Sequence, residues 1–252
     1  VDARDKSTFE LMSSTLEGPV TIAAAASVRD AKNAASAAAA AFPGWSATPD
    51  SDRAAVLAKA AATIEARVED FVAVMACETG STEAWARFNC KIGAKVMRHA
   101  ASQCGFERQV LREGGDSHVT SYLLRQPAGV VLGIAPWNAP IVLAARAVAL
   151  PLAVGKSVVL KDSERCPKTL SMVIEAIYDA GVVPGAANLV TNAPYRASEV
   201  TEAIIAHAAV RRVNFTGSTR VGRHVAETCA RHLKPVVLEL SGKAAMIVLD
   251  DA

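Results

Sequence analysis

The stretch VVLGIAPWN at residues 130–138 decides the fold, because it joins an unbroken apolar run to a proline-containing turn. Further runs rich in Val, Ile and Leu follow it, and a helical pattern separates each run from the next. The predicted strands are 130–134, 157–160, 187–190, 211–215 and 235–240, and the predicted helices are 140–153, 166–180, 197–207 and 218–232. Strand and helix alternate roughly every 25 residues, which is typical of βαβ units in a parallel sheet.

The apolar runs show no polar alternation, so we expect helices to cover both faces of the sheet. Residues 128–252 are thus predicted to form a doubly wound, mainly parallel, Rossmann-like α/β sheet. Sheets of this type bind ligands at the carboxyl ends of their strands. The residues that follow each apolar run are therefore the candidates for function.

The first 109 residues are predicted to be a helical part that precedes the sheet. Ser27 and Asp30 form a capping-box pattern before an alanine-rich helix, which we expect to end near Phe42. A second helix is predicted to open at 48–50 and to continue past residue 68, and a third to run from 81 towards 104. Residues 119–124 are predicted to form an edge strand or the arm of a hairpin.

The composition excludes several classes of protein. A net charge of +2, with both signs dispersed over 252 residues, gives no footprint for nucleic acid or for an anionic membrane surface. Three prolines and Arg146 interrupt the apolar segment 130–160, so we do not expect it to span a membrane. Five cysteines without a CxxC pair indicate reduced thiols in a cytoplasmic protein, with no metal site.

The turns after the first two strands carry polar groups suited to catalysis and to ribose binding. Asn138 stands where its amide could donate to a developing oxyanion, although a packed proline-containing turn is an alternative. Lys161 and Glu164 can hold a ribose from two sides. Glu164 would accept from the adenosine 2′-hydroxyl and repel a 2′-phosphate, which favours NAD over NADP. A surface ion pair between the two is the alternative.

The turns after the last two strands carry an anion-binding pattern and a carboxylate. Gly217 and Ser218 precede a predicted helix, where backbone N–H groups and the helix dipole would attract an anion. A helix cap with glycine for tight packing is the alternative. Glu239 ends the last predicted strand, where burial would raise its pKa and suit it to act as a general base. A structural ion pair with Lys243 is the alternative.

Four strings in order resemble the NAD(P)-dependent aldehyde dehydrogenase superfamily over most of the chain: PWN at 136–138, KDSE at 161–164, FTGST at 215–219 and ELSGK at 239–243. The strings FTGSTRVG and IVLDDA are most similar to those of its aromatic-aldehyde members, the salicylaldehyde and vanillin dehydrogenases. The resemblance implies a small aldehyde as substrate, a carboxylic acid as product and NAD as cofactor. It also implies a homodimer or homotetramer, assembled through an arm at 110–127.

The resemblance assigns roles to individual residues. Asn138 is implied to help form an oxyanion hole, and Glu239 is implied to be the general base. The residues implied to contact the cofactor are Ile134, Pro136, Trp137, Lys161, Ser163, Glu164, Gly185, Phe215, Gly217, Ser218, Gly222 and Leu240.

The chain departs from the family pattern at several positions. Asp162 stands where proline is usual, and Ser241 replaces the first glycine after Glu-Leu. Arg146 occupies a place that is often lysine. Ala139 stands where many members have phenylalanine, and its small side chain would leave room for a flat aromatic ring.

A further departure concerns the nucleophile. Family chemistry needs a cysteine thiolate that follows Gly-Gln a few dozen residues after the ELGGK string, and none of the five cysteines has that context. We therefore expect an N-terminal segment that carries the cofactor site and the base, and that is inactive alone. The alternatives are a free-standing nucleotide-binding module and a thiol enzyme that uses Cys166 at the start of a helix.

Overall fold

The structure, a computed structural model, describes residues 3–13, 17–105 and 125–251. In chain order its elements are β1 (Thr8–Met12), β2 (Pro19–Ala24), α1 (Val28–Ala47), α2 (Asp50–Ala66), α3 (Val68–Thr79), α4 (Glu83–Ser102), β3 (Val130–Ile134), α5 (Pro140–Ala153), β4 (Ser157–Lys161), α6 (Pro167–Asp179), β5 (Ala187–Val190), α7 (Ala197–Ala206), β6 (Val210–Thr216), α8 (Thr219–Arg231) and β7 (Val236–Glu239). A short 3₁₀ helix, Pro194–Arg196, precedes α7. From residue 130 onward the predicted strands and helices match these elements to within about two residues.

The main sheet has the order β5-β4-β3-β6-β7, and every strand pair in it is parallel. Ile134 pairs with Lys161 on one side and with Phe215 on the other, and Thr216 pairs with Glu239. The register therefore aligns the carboxyl ends of β3, β4, β6 and β7 at one edge. The predicted doubly wound α/β fold is confirmed.

Helices enclose the central strands in two layers. Val131 belongs to a core shared with α2 to α6, whereas Leu132 belongs to a second core shared with α1, α7 and α8. All residues of β3 and β4 are buried, as predicted. For β7 the prediction of two covered faces is wrong: Val236 and Leu238 pack towards the second core, whereas Val237 and Glu239 are exposed.

The helical part begins as the sequence predicts. Ser27 Oγ accepts from the backbone N–H of Asp30, and the Asp30 carboxylate accepts from the backbone N–H of Ser27, so the capping box is confirmed. The expected end near Phe42 is wrong, because α1 continues through Pro43 to Ala47. The buried indole of Trp45 donates from Nε1 to the carbonyl oxygen of Leu152 at 3.1 Å, and this contact holds the last turn of α1 against the end of α5.

The second predicted helix is divided in two. Arg67 leaves the helical conformation, with φ −104° and ψ 23°, so α2 ends at Ala66 and α3 begins at Val68. The guanidinium of Arg67 bridges Asp70 of α3 and Glu175 of α6. These tertiary contacts accompany a break that the local sequence pattern does not show.

The prediction of an entirely helical first part is wrong for Thr8–Met12 and Pro19–Ala24, which pair as the antiparallel strands β1 and β2, referred to below as the hairpin. The strands are only half-buried, so they lack the apolar runs that reveal the main sheet. The hairpin is tied to the end of β5, because Thr191 Oγ1 donates to the Ala24 oxygen at 2.7 Å and Ala26 N–H donates to the Thr191 oxygen.

Two further expectations concern the surface of the molecule. In the part of the chain that the structure describes, no helix combines the length and apolar character needed to cross a bilayer. The predicted strand at 119–124 lies outside the described residues, as does most of the expected arm at 110–127.

Candidate functional site

The loops that follow β3, β4, β6 and β7 meet at one edge of the sheet. From β3 the chain adds β4 and β5 on one side, and then crosses to add β6 and β7 on the other. The crevice outside the carboxyl ends of the strands, at such a reversal, is where open α/β sheets bind ligands. Here the reversal lies between the β3 loop, with Asn138, and the β6 loop, with Gly217.

Asn138 lies exposed in the β3 loop, and its backbone is held in place by a residue that sequence reasoning missed. Trp85 of α4 donates from Nε1 to the carbonyl oxygen of Asn138 at 2.9 Å. Its ring stacks on Phe88 with centroids 5.3 Å apart, and both rings are partly exposed. The sequence signal was available: two aromatic residues on an otherwise polar helix face. The amide of Asn138 is thus presented at the strand edge from a fixed backbone.

A second contact joins the β3 and β4 loops. The guanidinium of Arg165 lies over the ring of Trp137, with Cζ 5.2 Å from the ring centroid, and sequence reasoning did not identify Arg165. Behind this surface, Ile134 and Phe215 are buried partners in the sheet, and Pro136 is half-buried. Ile134 and Phe215 are thus the buried strand residues that lie just before the β3 and β6 loops.

The β4 loop holds the predicted ribose pair. Lys161 Nζ lies 3.8 Å from Glu164 Oε2, with side-chain exposures of 7% and 34%. The pair is therefore not the surface ion pair of the alternative reading, because the lysine is buried. Ser163 lies between them, buried, and its oxygen atoms accept from Cys166 N–H at 3.0 Å and Arg165 N–H at 3.4 Å.

The β6 loop presents the amino end of α8 to the same edge. Ser218 caps the helix by accepting from Val221 N–H at 3.3 Å. The backbone N–H groups of Thr219 and Arg220 precede the first intrahelical hydrogen bond, in which Gly222 N–H donates to the Ser218 carbonyl oxygen, and the helix dipole makes this end positive. Gly217 N–H donates to the backbone carbonyl oxygen of Glu239 at 3.0 Å. This hydrogen bond joins the loop after β6 to the end of β7, which carries the predicted base.

Three glycines assigned to the cofactor have different surroundings. A Cβ on Gly217 would lie 2.6 Å from Cζ of Phe215, and one on Gly222 would lie 2.4 Å from Cδ2 of Leu240. Gly222 therefore allows close packing of α8 on the residue after β7, as its alternative reading had it. Gly185 precedes β5 and packs on α1, at the opposite end of the sheet, so the structure does not bring it to the site.

Glu239 lies at the expected edge but not in the expected environment. Its side chain is exposed on the uncovered face of β7, so the burial that the sequence predicted is absent among the described residues. The alternative ion pair is absent there too, since no ion pair joins Glu239 to Lys243. The Glu239 side chain is therefore exposed at this edge of the sheet.

Three of the five cysteines, Cys90, Cys166 and Cys229, are buried, and Cys77 and Cys104 are half-buried. Cys166 is fully buried, and burial raises the pKa of its thiol well above the ordinary value. Burial also raises the pKa of Cys90 to about 11. The expectation that the start of α6 would lower the pKa of Cys166 is therefore wrong, because loss of solvation outweighs the helix dipole.

The chain matches the aldehyde dehydrogenase family over residues 1–252. The chain belongs to the aldehyde dehydrogenase family. It is 49% identical over 253 residues to a vanillin dehydrogenase of Pseudomonas sp. (strain HR199), covering 99% of this chain and 52% of that protein.

Solved structures agree with this assignment to the aldehyde dehydrogenases. A salicylaldehyde dehydrogenase from Pseudomonas putida G7, complexed with salicylaldehyde, superposes with a TM-score of 0.94 at 41% identity, over 99% of this chain and 52% of that one. An NAD-dependent benzaldehyde dehydrogenase from Corynebacterium glutamicum gives 0.88 at 30% identity, over 95% and 52%. The chain thus spans about half the length of these proteins. Similar structures include NAD-dependent and NADP-dependent enzymes.

Proposed function

We propose that this aldehyde dehydrogenase chain forms the cofactor-binding and base-carrying part of an NAD-dependent enzyme that oxidises an aromatic aldehyde to its carboxylic acid. The observation that carries the proposal is the meeting of four loops at one sheet edge. They bring together an exposed amide on Asn138, an exposed carboxylate on Glu239, the Lys161–Glu164 pair and the amino end of α8.

The donor groups at this edge fit a dinucleotide. The start of α8 offers backbone N–H groups to a pyrophosphate, with Ser218 and Gly217 at the turn. Lys161 and Glu164 would hold the adenosine ribose through its hydroxyls, since both are partly withdrawn from solvent and remain 3.8 Å apart. When bound, NAD would supply the hydride acceptor. Gly185 has no part in this site.

The residues of this chain have separate tasks in the proposed reaction. Asn138 donates its side-chain amide to the aldehyde oxygen as negative charge develops there. Trp85 keeps the Asn138 backbone in position through its hydrogen bond. Glu239 accepts a proton from the water that hydrolyses the acyl intermediate. The nucleophile is a cysteine thiolate contributed from outside these 252 residues, because the buried Cys166 cannot reach this edge as a thiolate.

Several features favour an aromatic substrate. The named relatives act on vanillin and salicylaldehyde, and the benzaldehyde dehydrogenase is similar in structure. Ala139, beside Asn138, has a small side chain where a larger one would narrow the approach. Trp85 and Phe88 form a stacked aromatic pair next to the Asn138 backbone, and such a pair suits a flat ring.

The complete protein is proposed to be a cytoplasmic homodimer or homotetramer. The oligomer would be built in part by the arm at 110–127, most of which lies outside the described residues. We propose no nucleic acid and no membrane as partners, because the charge of +2 is small and of mixed sign.

An assay of the protein as its gene encodes it tests the proposed function. NADH formation is followed with vanillin, salicylaldehyde and benzaldehyde, and with an aliphatic aldehyde for comparison. We expect turnover that is faster with the aromatic aldehydes and with NAD. Failure to oxidise any aldehyde with either cofactor would contradict the proposal, and adenine-nucleotide binding without turnover would favour the nucleotide-binding module instead.

A further inference from the structure

The loop that carries Asn138 has few contacts of its own. Residues 136–138 lie between β3 and α5 in no regular element, and among the described residues none of their backbone groups bonds to another backbone group. Ala139, at the start of α5, contributes no side-chain cap. The Asn138 side chain is exposed, so its position at the sheet edge depends on what holds the backbone around it.

Two described side chains from other elements supply this support. Trp85 of α4 donates from Nε1 to the carbonyl oxygen of Asn138 at 2.9 Å. At the preceding residue, the guanidinium of Arg165 lies over the ring of Trp137, and the 5.2 Å from Cζ to the ring centroid is within the range of a cation–π contact. The loop is thus held at Asn138 from α4 and at Trp137 from the turn after β4.

The turn after β4 gives Arg165 a firm base. Asp162 continues the pairing of β4 with β5, because its backbone N–H donates to the oxygen of Val190 at 3.1 Å. The carboxylate of Asp162 is buried and has no hydrogen-bond partner among the described residues. Ser163 accepts from Cys166 N–H on its carbonyl oxygen at 3.0 Å and from Arg165 N–H on Oγ at 3.4 Å. The backbone of Arg165 is therefore fixed, although its side chain is exposed.

No carboxylate of the described residues forms an ion pair with the guanidinium of Arg165. Its neighbour Glu164 pairs instead with Lys161 at 3.8 Å. Trp137 is 43% exposed, so the contact between Arg165 and Trp137 lies at the surface of the crevice and adds little to folding. What this contact does is join the loop of the proposed oxyanion donor to the turn of the proposed ribose residues.

We propose that Arg165 is a positioning residue for the oxyanion donor, an inference that rests on the proposed function. Arg165 acts through Trp137: its guanidinium holds the indole ring, and the held ring fixes the peptide that precedes Asn138. The side-chain amide of Asn138 then keeps its place for the oxygen of the aldehyde. Because an oxyanion donor is effective only when it is aligned before charge develops, the loss of Arg165 slows the chemical step and leaves cofactor binding unchanged.

The test compares Arg165→Met with Arg165→Lys in the protein as its gene encodes it, because lysine keeps a cation for the ring and methionine does not. For each variant, kcat and KM are measured with NAD and vanillin, and calorimetry with 5′-AMP reports on the nucleotide site. Arg196→Met is the matched control, since Arg196 lies over the ring of Tyr195, with Cζ 5.7 Å from the centroid, in the 3₁₀ helix before α7. Arg165→Met is also combined with Trp137→Leu, which removes the ring, to complete a double-mutant cycle.

We expect Arg165→Met to lower kcat for vanillin about fivefold, with KM for NAD and 5′-AMP binding unchanged. Arg165→Lys is expected to recover part of this loss, and Arg196→Met to behave as wild type. In the Trp137→Leu background, Arg165→Met is expected to have no further effect.

Three results would overturn the inference while leaving the proposed function intact. These are an unchanged kcat in Arg165→Met, an equal loss of kcat with and without the Trp137 ring, and a loss confined to KM for NAD, which would make Arg165 a cofactor contact. If the wild type oxidises no aldehyde with either cofactor, the proposed function fails, and the inference fails with it.

Discussion

At the scale of single residues, the prediction that the enzyme prefers NAD over NADP depends on Glu164. Its carboxylate lies 3.8 Å from Lys161 Nζ at the end of β4, where it would accept from a ribose 2′-hydroxyl and repel a 2′-phosphate. We expect Glu164→Gln to narrow the ratio of kcat/KM for NAD over NADP by roughly tenfold. Glu202→Gln is the control, because Glu202 of α7 pairs with Arg231 at 3.2 Å, in the last turn of α8 and away from this edge. An unaltered ratio in Glu164→Gln would remove Glu164 from the ribose site.

Asp162 also carries a prediction about stability. Its pKa is about 7 in the folded chain against an ordinary value of 3.8, so the folded state holds this proton more tightly than the unfolded state. The free energy of unfolding therefore falls as the pH rises from about 4 to about 7, by on the order of 3 to 5 kcal/mol, and then levels off. Denaturant titrations of wild type and Asp162→Asn across this range isolate the effect. A constant difference between them would contradict it.

Trp85 carries a prediction about the position of Asn138. Trp85→Phe keeps an aromatic ring for Phe88 but removes the donor that holds the Asn138 oxygen at 2.9 Å. We expect kcat for aldehyde oxidation to fall about tenfold, with 5′-AMP binding unchanged, because the oxyanion donor loses its alignment. Trp85→Leu, which removes the ring as well, is expected to raise KM for aromatic aldehydes in addition. A loss confined to KM in Trp85→Phe would mean that only the ring matters.

At the scale of elements, the close approach of α5 to β3 depends on Gly133. A Cβ there would lie 2.8 Å from Cβ of Ala147 and 3.3 Å from its backbone oxygen, so Gly133→Ala must push the helix from the strand. We expect it to lower the free energy of unfolding by about 1 to 3 kcal/mol. Gly44→Ala, within α1 and with nothing in reach of its Cβ, should instead raise it by about 0.5 to 1 kcal/mol. Equal effects in denaturant titrations would refute this packing account.

The same scale shows how far local pattern predicts structure. The apolar runs at 130–134 and 157–160 predicted strands correctly, because β3 and β4 are buried on both faces. The hairpin of β1 and β2 was missed, since its half-buried strands carry no comparable signal and depend on the contact of Ala24 with Thr191. Helix α1 passes Pro43, and the turn that follows this local breaker is anchored by the burial of Trp45 together with its hydrogen bond to the Leu152 oxygen.

At the scale of the whole molecule, the sheet is covered unevenly. Val237 is 66% exposed on the outer face of β7, and the apolar residues Met246 to Leu249 are exposed as well. The proposed base, Glu239, stands on this same uncovered face. Within the described residues, no helix covers the outer face of β7 on which Glu239 stands.

The uncovered face of β7 leads to a prediction for the 252-residue chain by itself. We expect this chain to bind 5′-AMP through the β4 loop and the start of α8. We also expect it to produce no NADH from vanillin or benzaldehyde, because none of the described cysteines is an exposed residue that could act as the nucleophile. Calorimetry and an NADH assay on the same preparation check both parts. Steady aldehyde-dependent NADH formation would contradict the proposed separation of nucleotide site and nucleophile.

The sequence by itself determined the alternation of strands and helices from residue 130 and the order of the functional strings. Burial on both faces leaves continuous apolar runs, and ligand loops follow them directly. Only the tertiary structure decided the environments: the exposure of Glu239, the separation of Gly185 from the site, the hold of Trp85 on Asn138 and the isolation of Asp162. These environments depend on which elements pack together across long sequence separations. The local sequence pattern does not predict that packing.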